Sequence, residues 1–157
     1  IRENNAIYVR QKSKELGYVG SPNRIDDKLI KNFIDKDFIP IIAPMGVDEK
    51  KQTYNINADT AAGALAISLK SRRLLLMTDV EGVCDKNNKL ISEINSVEAE
   101  KLIFDETIHG GMIPKIRTCI NAVNNDVRGV VIIDGRKSHS ILFELFSDKG
   151  AGTLIRK

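Results

Sequence analysis

Two short, almost wholly apolar runs limit the folds that this chain can adopt. They lie at residues 73–78 and 129–134 and are rich in leucine, valine and isoleucine, without an alternation of apolar and polar residues. Such runs are typical of strands that are covered on both faces, which occur mainly in parallel sheets. Two helices are predicted between them, one from an N-cap at Ser96 to Phe104 and one over residues 113–124. The sequence therefore predicts an α/β fold with a mainly parallel open sheet and helices on both faces.

The remaining predicted elements also alternate strands with helices. An amphipathic helix that starts with two acids is predicted over residues 26–36, followed by a strand over the apolar run 38–43, which contains one proline. A polar turn at residues 46–51 leads into 52–55, which closes a hairpin. The other predicted elements are a helix over 58–71, a helix over 139–146 and a strand over 153–155.

The composition is that of an ordinary globular protein: 42% of the 157 residues are hydrophobic and 29% are charged. The net charge is +3 without a dense basic tract, and 5% of residues are aromatic, which argues against a nucleic-acid partner. Cys84 and Cys119 lie far apart with no CxxC motif, so neither a disulfide framework nor a metal site is predicted. No signal peptide and no apolar run of membrane length are present. We therefore expect a cytoplasmic protein (or a plastid protein in a photosynthetic eukaryote) without a membrane partner.

The first chemical signal is Asn55-Ile56-Asn57-Ala58-Asp59, which opens an alanine-rich helix. A carboxylate in the first turn of a helix is stabilised by the helix dipole and stays ionised. Asp59 is thus suited to orient a cationic group, and Asn55 to donate a hydrogen bond to a substrate carboxylate or phosphate. The alternative is a simple helix cap, which Asn and Asp favour.

The second signal is the end of the apolar strand at Thr78 and Asp79. Open α/β sheets bind ligands at the carboxyl ends of their strands, so the loop from Asp79 to Cys84 is placed to reach a nucleotide. Neither GxxxxGK[ST] nor GxGxxG occurs, so no Walker loop or dinucleotide fingerprint is predicted. The alternative is a simple connection from strand to turn.

The third signal is the glycine pair Gly110-Gly111, followed by Lys115 near the start of a helix. The helix dipole disfavours an ammonium group there unless an anion binds nearby. An acid, a loop at a strand end and a mobile cation are parts that a phosphoryl-transfer enzyme needs. The alternative is a solvated surface lysine. His109 and His139 are isolated, so no metal ligand is predicted at either.

Six segments, in this order, resemble the carboxyl-terminal part of the amino-acid kinase family, most closely its acetylglutamate kinase branch. They are residues 16–20, 39–46, 54–59, 78–83, 110–115 and 150–155. The Asn-x-Asn-x-Asp and Gly-Gly-Met-x-x-Lys pieces are specific to that branch. The resemblance implies transfer of the γ-phosphate of ATP, with Mg²⁺ bridging the phosphates, to the side-chain carboxylate of N-acetyl-L-glutamate in arginine biosynthesis.

The family's motifs imply roles for the matching residues. Lys115 stabilises the transferring phosphoryl group, Asp59 organises the catalytic lysines, and Asn55 binds the substrate. The implied ATP-binding residues are Thr78, Asp79, Val80, Glu81, Gly82, Val83, Cys84, Thr107, Ile108, His109 and Met112.

The resemblance also implies that other parts of the enzyme lie outside this sequence. The family's amino-terminal half carries a second catalytic lysine, a glycine-rich phosphate loop and the residues that grip the acyl amino acid. The start at Ile1 has no helix or turn signal, and we expect the chain to begin within a longer protein that forms a homo-oligomer. We predict one partial domain over 1–157, with 1–25 as a remnant of the substrate-side region and 26–157 as the ATP-binding region. This chain alone is expected to be inactive.

The tail at residues 139–150 resembles that of the arginine-inhibited members of the family. The residues implied in a site for L-arginine as an inhibitor are Arg73, His139, Glu144, Gly150 and Gly152. The alternative is an amphipathic helix that packs on the sheet. Two alternative functions stay open: another kinase of the family, acting on an aminoadipate derivative, aspartate, glutamate or carbamate, or a non-catalytic module that binds a nucleotide or arginine.

Overall fold

The computed structural model describes residues 5–157, which form two compact units that divide between residues 69 and 70. The first unit contains β1 (Ile7–Gln11), β2 (Gly20–Ile25), α1 (Asp27–Ile34), β3 (Met45–Val47), β4 (Thr53–Asn55) and α2 (Ala58–Ser68). The second contains β5 (Leu74–Thr78), β6 (Glu93–Asn95), α3 (Ser96–Phe104), α4 (Met112–Asn124), β7 (Val130–Asp134), α5 (Ser140–Phe146) and β8 (Gly152–Arg156). The functional division after residue 25 stays a prediction.

The first unit is built on a four-stranded sheet in the order β2-β1-β3-β4. β1 pairs antiparallel with β2 and parallel with β3, and β3 and β4 form a hairpin. The predicted closing strand at 52–55 is confirmed, but its partner β3 overlaps the predicted turn at 46–51 and not the predicted strand at 38–43. The Asp48 carboxylate holds the turn of this hairpin by accepting hydrogen bonds from the backbone N–H groups of Lys50 (2.8 Å) and Gln52 (2.9 Å). The core of this unit consists of Ile7, Val9, Tyr54, Ile56 and Ala61.

The second unit is built on a four-stranded sheet in the order β5-β7-β8-β6. β7 is parallel to β5 and antiparallel to β8, and β8 is parallel to β6. All five residues of β7 are buried, as its apolar sequence predicts for a central strand. β5 has a similar sequence but lies at the edge of the described sheet, and Leu76 is its one fully buried residue.

The α/β class is confirmed, and both sheets are mixed. The second sheet is mainly parallel, with β5–β7 and β6–β8 parallel and β7–β8 antiparallel, whereas two of the three pairs in the first sheet are antiparallel. Hairpin connections over residues 12–19 and 48–52 reverse the chain in the first unit, which makes the β1–β2 and β3–β4 pairs antiparallel. In the second unit the connection over residues 135–151, which contains α5, starts and ends at the same edge of the sheet, so β8 runs antiparallel to β7.

The predicted strand over residues 38–43 is wrong, because this segment has no regular structure here. Pro40 cannot donate a ladder hydrogen bond, and the side chains of Ile39 and Ile41 are 90% and 96% exposed, respectively. An apolar run therefore does not suffice for a strand when no partner pairs with it. β1, β2 and β6 were not predicted, since each is short or rich in polar residues.

The starts of α1, α2 and α3 follow standard capping chemistry. The N-cap of α3 is Asn95, one residue before the predicted Ser96, and it forms a reciprocal capping box with Glu98. Asp26 caps α1 by accepting a hydrogen bond from the Leu29 N–H at 3.0 Å. None of the helices within residues 5–157 is long and apolar enough to cross a membrane.

Candidate functional site

The carboxyl end of β5 opens into a cavity of about 750 Å³ in the second unit. It is lined by the loop that follows β5, the turn that follows α3, the first residue of α4 and Arg136 after β7. The lining residues are Asp79, Val80, Glu81, Gly82, Val83, Cys84, Asp85, Lys86, Asn88, Glu106, Thr107, Ile108, His109, Met112 and Arg136. The structure thus brings together all the predicted ATP-binding residues except Thr78, whose hydroxyl donates to Asp79 Oδ1 at 3.2 Å.

The segment that follows β5 has a defined shape, because a glycine allows its turn and backbone hydrogen bonds close its second part. Gly82 is buried with a φ of +147°, a conformation that only glycine adopts readily. The Ile91 N–H donates to the Val83 carbonyl at 2.8 Å and closes a narrow excursion of the chain over residues 83–91. At its tip, Asp85 Oδ1 accepts from the N–H groups of Asn87 (2.8 Å) and Lys89 (2.9 Å).

Another wall of the cavity is the turn after α3, whose conformation is held by the side chain of Asp105. Its carboxylate accepts from the Thr107 hydroxyl at 2.5 Å and from the Thr107 N–H at 3.1 Å, which lowers the pKa of Asp105 below its ordinary value. The Ile108 N–H donates to the Leu102 carbonyl at 2.8 Å, and the Ile108 side chain is buried. The wall therefore presents fixed backbone and one apolar anchor to the cavity, next to the exposed His109.

Arg136 lies where β7 ends and is held by the buried carboxylate of Asp134. Arg136 Nε donates to Asp134 Oδ1 and Nη2 to Oδ2, both at 3.0 Å, and the Arg136 N–H donates to Oδ1 at 2.9 Å. The hydrogen bonds from the Arg136 side chain are the main reason that the pKa of Asp134 falls to about 2. The pair is ionised at neutral pH, so the guanidinium has a fixed orientation in the cavity wall.

The charges around the cavity are mixed. The lining includes two cations, Lys86 and Arg136, and four carboxylates, those of Asp79, Glu81, Asp85 and Glu106. Lys137 Nζ also bonds to Glu81 Oε1 at 2.7 Å, which raises the pKa of Lys137. Such a wall offers many acceptors for hydroxyl and amino groups, and the cavity volume suits a ligand of nucleotide size.

Lys115 lies one turn after Met112 in α4 and is partly buried. The helix has Gly111 as its N-cap, and no side chain caps it. Gly110 has a φ of +57°, and a side chain at Gly110 or Gly111 would meet no atom within 4 Å. The glycine pair therefore lies in open space between His109 and Met112, which line the cavity.

Asn55 and Asp59 lie in the first unit. Asn55 is exposed at the end of β4, and its N–H donates to the Tyr18 carbonyl at 2.9 Å. The N-cap of α2 is Asn57, which accepts from the Thr60 N–H at 3.1 Å, while Asp59 is partly buried in the first turn. The simple capping role therefore belongs to Asn57, and the roles of Asn55 and Asp59 stay predictions.

A second, smaller cavity of about 240 Å³ lies beside α5 and β8. Arg73, Glu144, Gly150 and Gly152 all line it, whereas His139, at the N-terminus of α5, does not. Glu144 is 8% exposed; its Oε1 accepts from Arg73 Nη1 at 3.2 Å and its Oε2 from the Ala151 N–H at 2.8 Å. The structure thus brings together four of the five residues that the resemblance implied for an arginine site.

Sequence reasoning missed the residues that support the larger cavity. Asp105 and Asp134 act on the walls from outside the cavity, and Arg136 lines it. The Asp-Gly-Arg sequence that begins at the last residue of β7 carried a usable signal, because β7 is parallel to β5 and their carboxyl ends meet at one edge. Within residues 5–157, no three His, Cys, Asp or Glu side chains form a group that is able to hold a metal ion.

Comparison with known proteins gives a consistent result. The sequence model of the amino acid kinase family matches residues 3–134. The acetylglutamate kinase of Pelagibacter ubique (strain HTCC1062) is 56% identical over 156 residues, which are 99% of this chain and 54% of that protein. The chain therefore spans about half the length of the curated relatives that it matches.

Solved structures show the same fold. The N-acetylglutamate synthase of Neisseria gonorrhoeae, in complex with coenzyme A and L-arginine, superposes with a TM-score of 0.90 at 25% identity, over 98% of this chain and 37% of that one. The carbamate kinase of Giardia lamblia bound to citric acid superposes with a TM-score of 0.71 at 28% identity, over 88% of this chain and 46% of that one. The extent of the sequence match, together with these two folds, shows that the chain belongs to the amino acid kinase family.

Proposed function

We propose that this chain supplies the nucleotide-binding half of an acetylglutamate kinase. The enzyme transfers the γ-phosphate of ATP to the side-chain carboxylate of N-acetyl-L-glutamate, a step in arginine biosynthesis. The observation that carries this proposal is the 56% identity to an acetylglutamate kinase over 99% of the chain. The loop after β5 and the turn after α3, which line one cavity of about 750 Å³, support it.

In this proposal the larger cavity holds the nucleoside part of ATP. Its carboxylates and backbone groups accept hydrogen bonds from ribose hydroxyls and from the adenine amino group. The acidic wall therefore suits the nucleoside better than it suits a negatively charged phosphate. The phosphates extend toward Gly110, Gly111 and the start of α4, where the positive end of the helix dipole and Lys115 favour anions. Mg²⁺ is held through the phosphate oxygens, where it neutralises part of their charge.

Three side chains have roles in the transfer. Lys115 stabilises the charge on the phosphoryl group, Asp59 orients catalytic lysines, and Asn55 binds the acceptor. Phosphoryl transfer depends on positioning and on electrostatic stabilisation rather than on covalent chemistry by the protein. A preorganised cation that acts on charge developing in the transition state contributes to kcat more than to ATP affinity.

Two measurements test the proposal. Residues 1–157 should bind ADP in calorimetry without measurable turnover of N-acetyl-L-glutamate, and the natural protein that carries them should turn it over in a coupled ADP-release assay.

In that protein, Lys115→Met should lower kcat on the order of 10²–10³ and change the Kd for ATP much less. Lys101→Met is the matched control, since Lys101 is an exposed lysine in α3. Unchanged turnover in Lys115→Met would refute the catalytic assignment, and turnover of carbamate, aspartate, glutamate or an aminoadipate derivative instead would refute the acceptor.

We further propose that the smaller cavity binds L-arginine as an inhibitor. The specific observation is that Arg73, Glu144, Gly150 and Gly152 line one polar cavity, together with the carboxylate-bearing Glu93 and Asp148 among others. Carboxylates suit the guanidinium and amino groups of arginine. The related synthase of Neisseria gonorrhoeae was crystallised with L-arginine, and it shares the fold over 98% of this chain.

A further inference from the structure

Thr153 is a wholly buried polar residue in β8, far in sequence from the loop that lines the larger cavity. Its hydroxyl accepts a hydrogen bond from the Val83 N–H at 2.8 Å and donates one to the Ile91 carbonyl at 2.6 Å. Val83 and Ile91 are the two ends of the excursion over residues 83–91, and they also bond to each other at 2.8 Å. The hydroxyl of Thr153 thus connects both ends of this loop to strand β8.

The fit between Thr153 and the neighbouring Gly82 is equally close. A Cβ atom built on Gly82 would lie 2.5 Å from Thr153 Oγ1 and 3.1 Å from the Thr153 N atom. The loop backbone therefore passes directly over the hydroxyl with no room for another atom. Gly82 and Val83 line the nucleotide-sized cavity, so the position of the Thr153 hydroxyl sets the position of that wall.

The backbone of Thr153 is itself fixed by the sheet, because it pairs with the buried Ile132 of β7, and its neighbour Leu154 bonds through its N–H to the Ser92 carbonyl at 2.9 Å. The hydroxyl is thus a rigid support rather than a group on a mobile segment. A buried hydroxyl that both donates and accepts is costly to remove, because each partner loses its hydrogen bond without access to water.

From these contacts we infer that Thr153 is a positioning residue for nucleotide binding: it acts through Val83 and Gly82 and does not contact the nucleotide. The inference rests on the proposed function of the larger cavity. It predicts that the hydroxyl, rather than the bulk of the side chain, determines the affinity for ADP. A residue that served stability alone would change the free energy of unfolding and leave the affinity unaltered.

The test compares Thr153→Val, which keeps the shape and removes the hydroxyl, with Thr153→Ser, which keeps the hydroxyl. Calorimetry with ADP on the full chain should show an affinity about tenfold lower for Thr153→Val, equivalent to about 1.4 kcal/mol or one net hydrogen bond, and within about twofold of wild type for Thr153→Ser. Ile155→Val is the matched control, because Ile155 is buried in the same strand and its truncation lowers stability without touching the loop. It should bind ADP as the wild type does.

The outcomes separate the two claims. Wild-type affinity for ADP in Thr153→Val, with or without a lower melting temperature, would overturn the role of Thr153 and leave the proposed function in place. Absence of ADP binding by the wild-type chain would overturn both. If Thr153→Val does not fold, hydrogen exchange on the wild-type chain decides: the Val83 amide should be protected, and exchange as fast as that of an exposed loop amide would overturn the inference.

Discussion

Replacing Gly82 by alanine should destabilise the second unit severely, and the structure allows the cost to be worked out. The φ of +147° is strained for any residue with a side chain, at about 1–3 kcal/mol. The new Cβ would also lie 2.5 Å from Thr153 Oγ1 and 2.8 Å from Leu90 Cδ1, so the hydroxyl must move and its two hydrogen bonds weaken, for about 1–2 kcal/mol more. Alanine lowers the entropy of the unfolded chain, which offsets about 0.4–1 kcal/mol. The net loss in the free energy of unfolding is therefore about 1–4.5 kcal/mol.

Native-state hydrogen exchange of the β7 amides is the appropriate assay, because all residues of this strand are buried and it reports on global opening of the second unit. Gly110→Ala is the matched control: it also places a side chain at positive φ, +57°, but meets no atom within 4 Å. It should cost about 1 kcal/mol or less, since this left-handed region is less strained than that of Gly82. If Gly82→Ala proves no less stable than Gly110→Ala, the close contact with Thr153 does not constrain the loop and the reasoning is refuted.

Two further predictions concern charge. The pKa of Asp134 is lowered to about 2, so its ion pair with Arg136 adds stability that is present above about pH 4 and is lost as the pH falls toward 2. Asp134→Asn should therefore lose less stability than the wild type between pH 4 and pH 2 in urea titrations, and an equal loss in the two proteins would contradict this. L-arginine at millimolar concentration should raise the melting temperature of the wild-type chain but not of Arg73→Ala, while the exposed neighbour Arg72→Ala keeps the shift. No shift in the wild type would remove the arginine site and leave the kinase proposal unaffected.

Much of the second unit could be predicted from the sequence, because its elements are long and strongly patterned. The helices α3 and α4 and the strands β5 and β7 were each predicted within one residue of their observed ends. The prediction of a strand at residues 38–43 was wrong, because an apolar segment forms a strand only when another strand pairs with it, and sequence periodicity does not reveal that partner. β6 was missed for the related reason that three residues carry too little pattern.

The candidate site shows a similar division. That Asp79 lies at the mouth of a cavity was predictable from its place at the end of a strand, whereas Met112 came from the family resemblance. Both residues line the cavity, and their role in nucleotide binding stays a prediction. The bond from Thr153 to Val83 spans 70 positions in sequence, and no local pattern records it. Supporting residues of this kind become visible only when the register of β8 against β7 is known.

The two glycines Gly150 and Gly152 near the carboxyl end are required for different packing reasons. Gly152 was predicted as part of an arginine site, but a Cβ atom there would lie 1.9 Å from the Ile132 carbonyl oxygen, so the pairing of β8 with β7 alone requires glycine. At Gly150 a Cβ atom would lie 2.9 Å from Glu144 Oε2, within the cavity wall itself. A substitution at Gly152 thus disturbs the sheet and Thr153 next to it, whereas one at Gly150 acts on Glu144. Variants at Gly150 and Glu144 therefore test the proposed arginine site, and variants at Gly152 report on the sheet that supports the loop over residues 83–91.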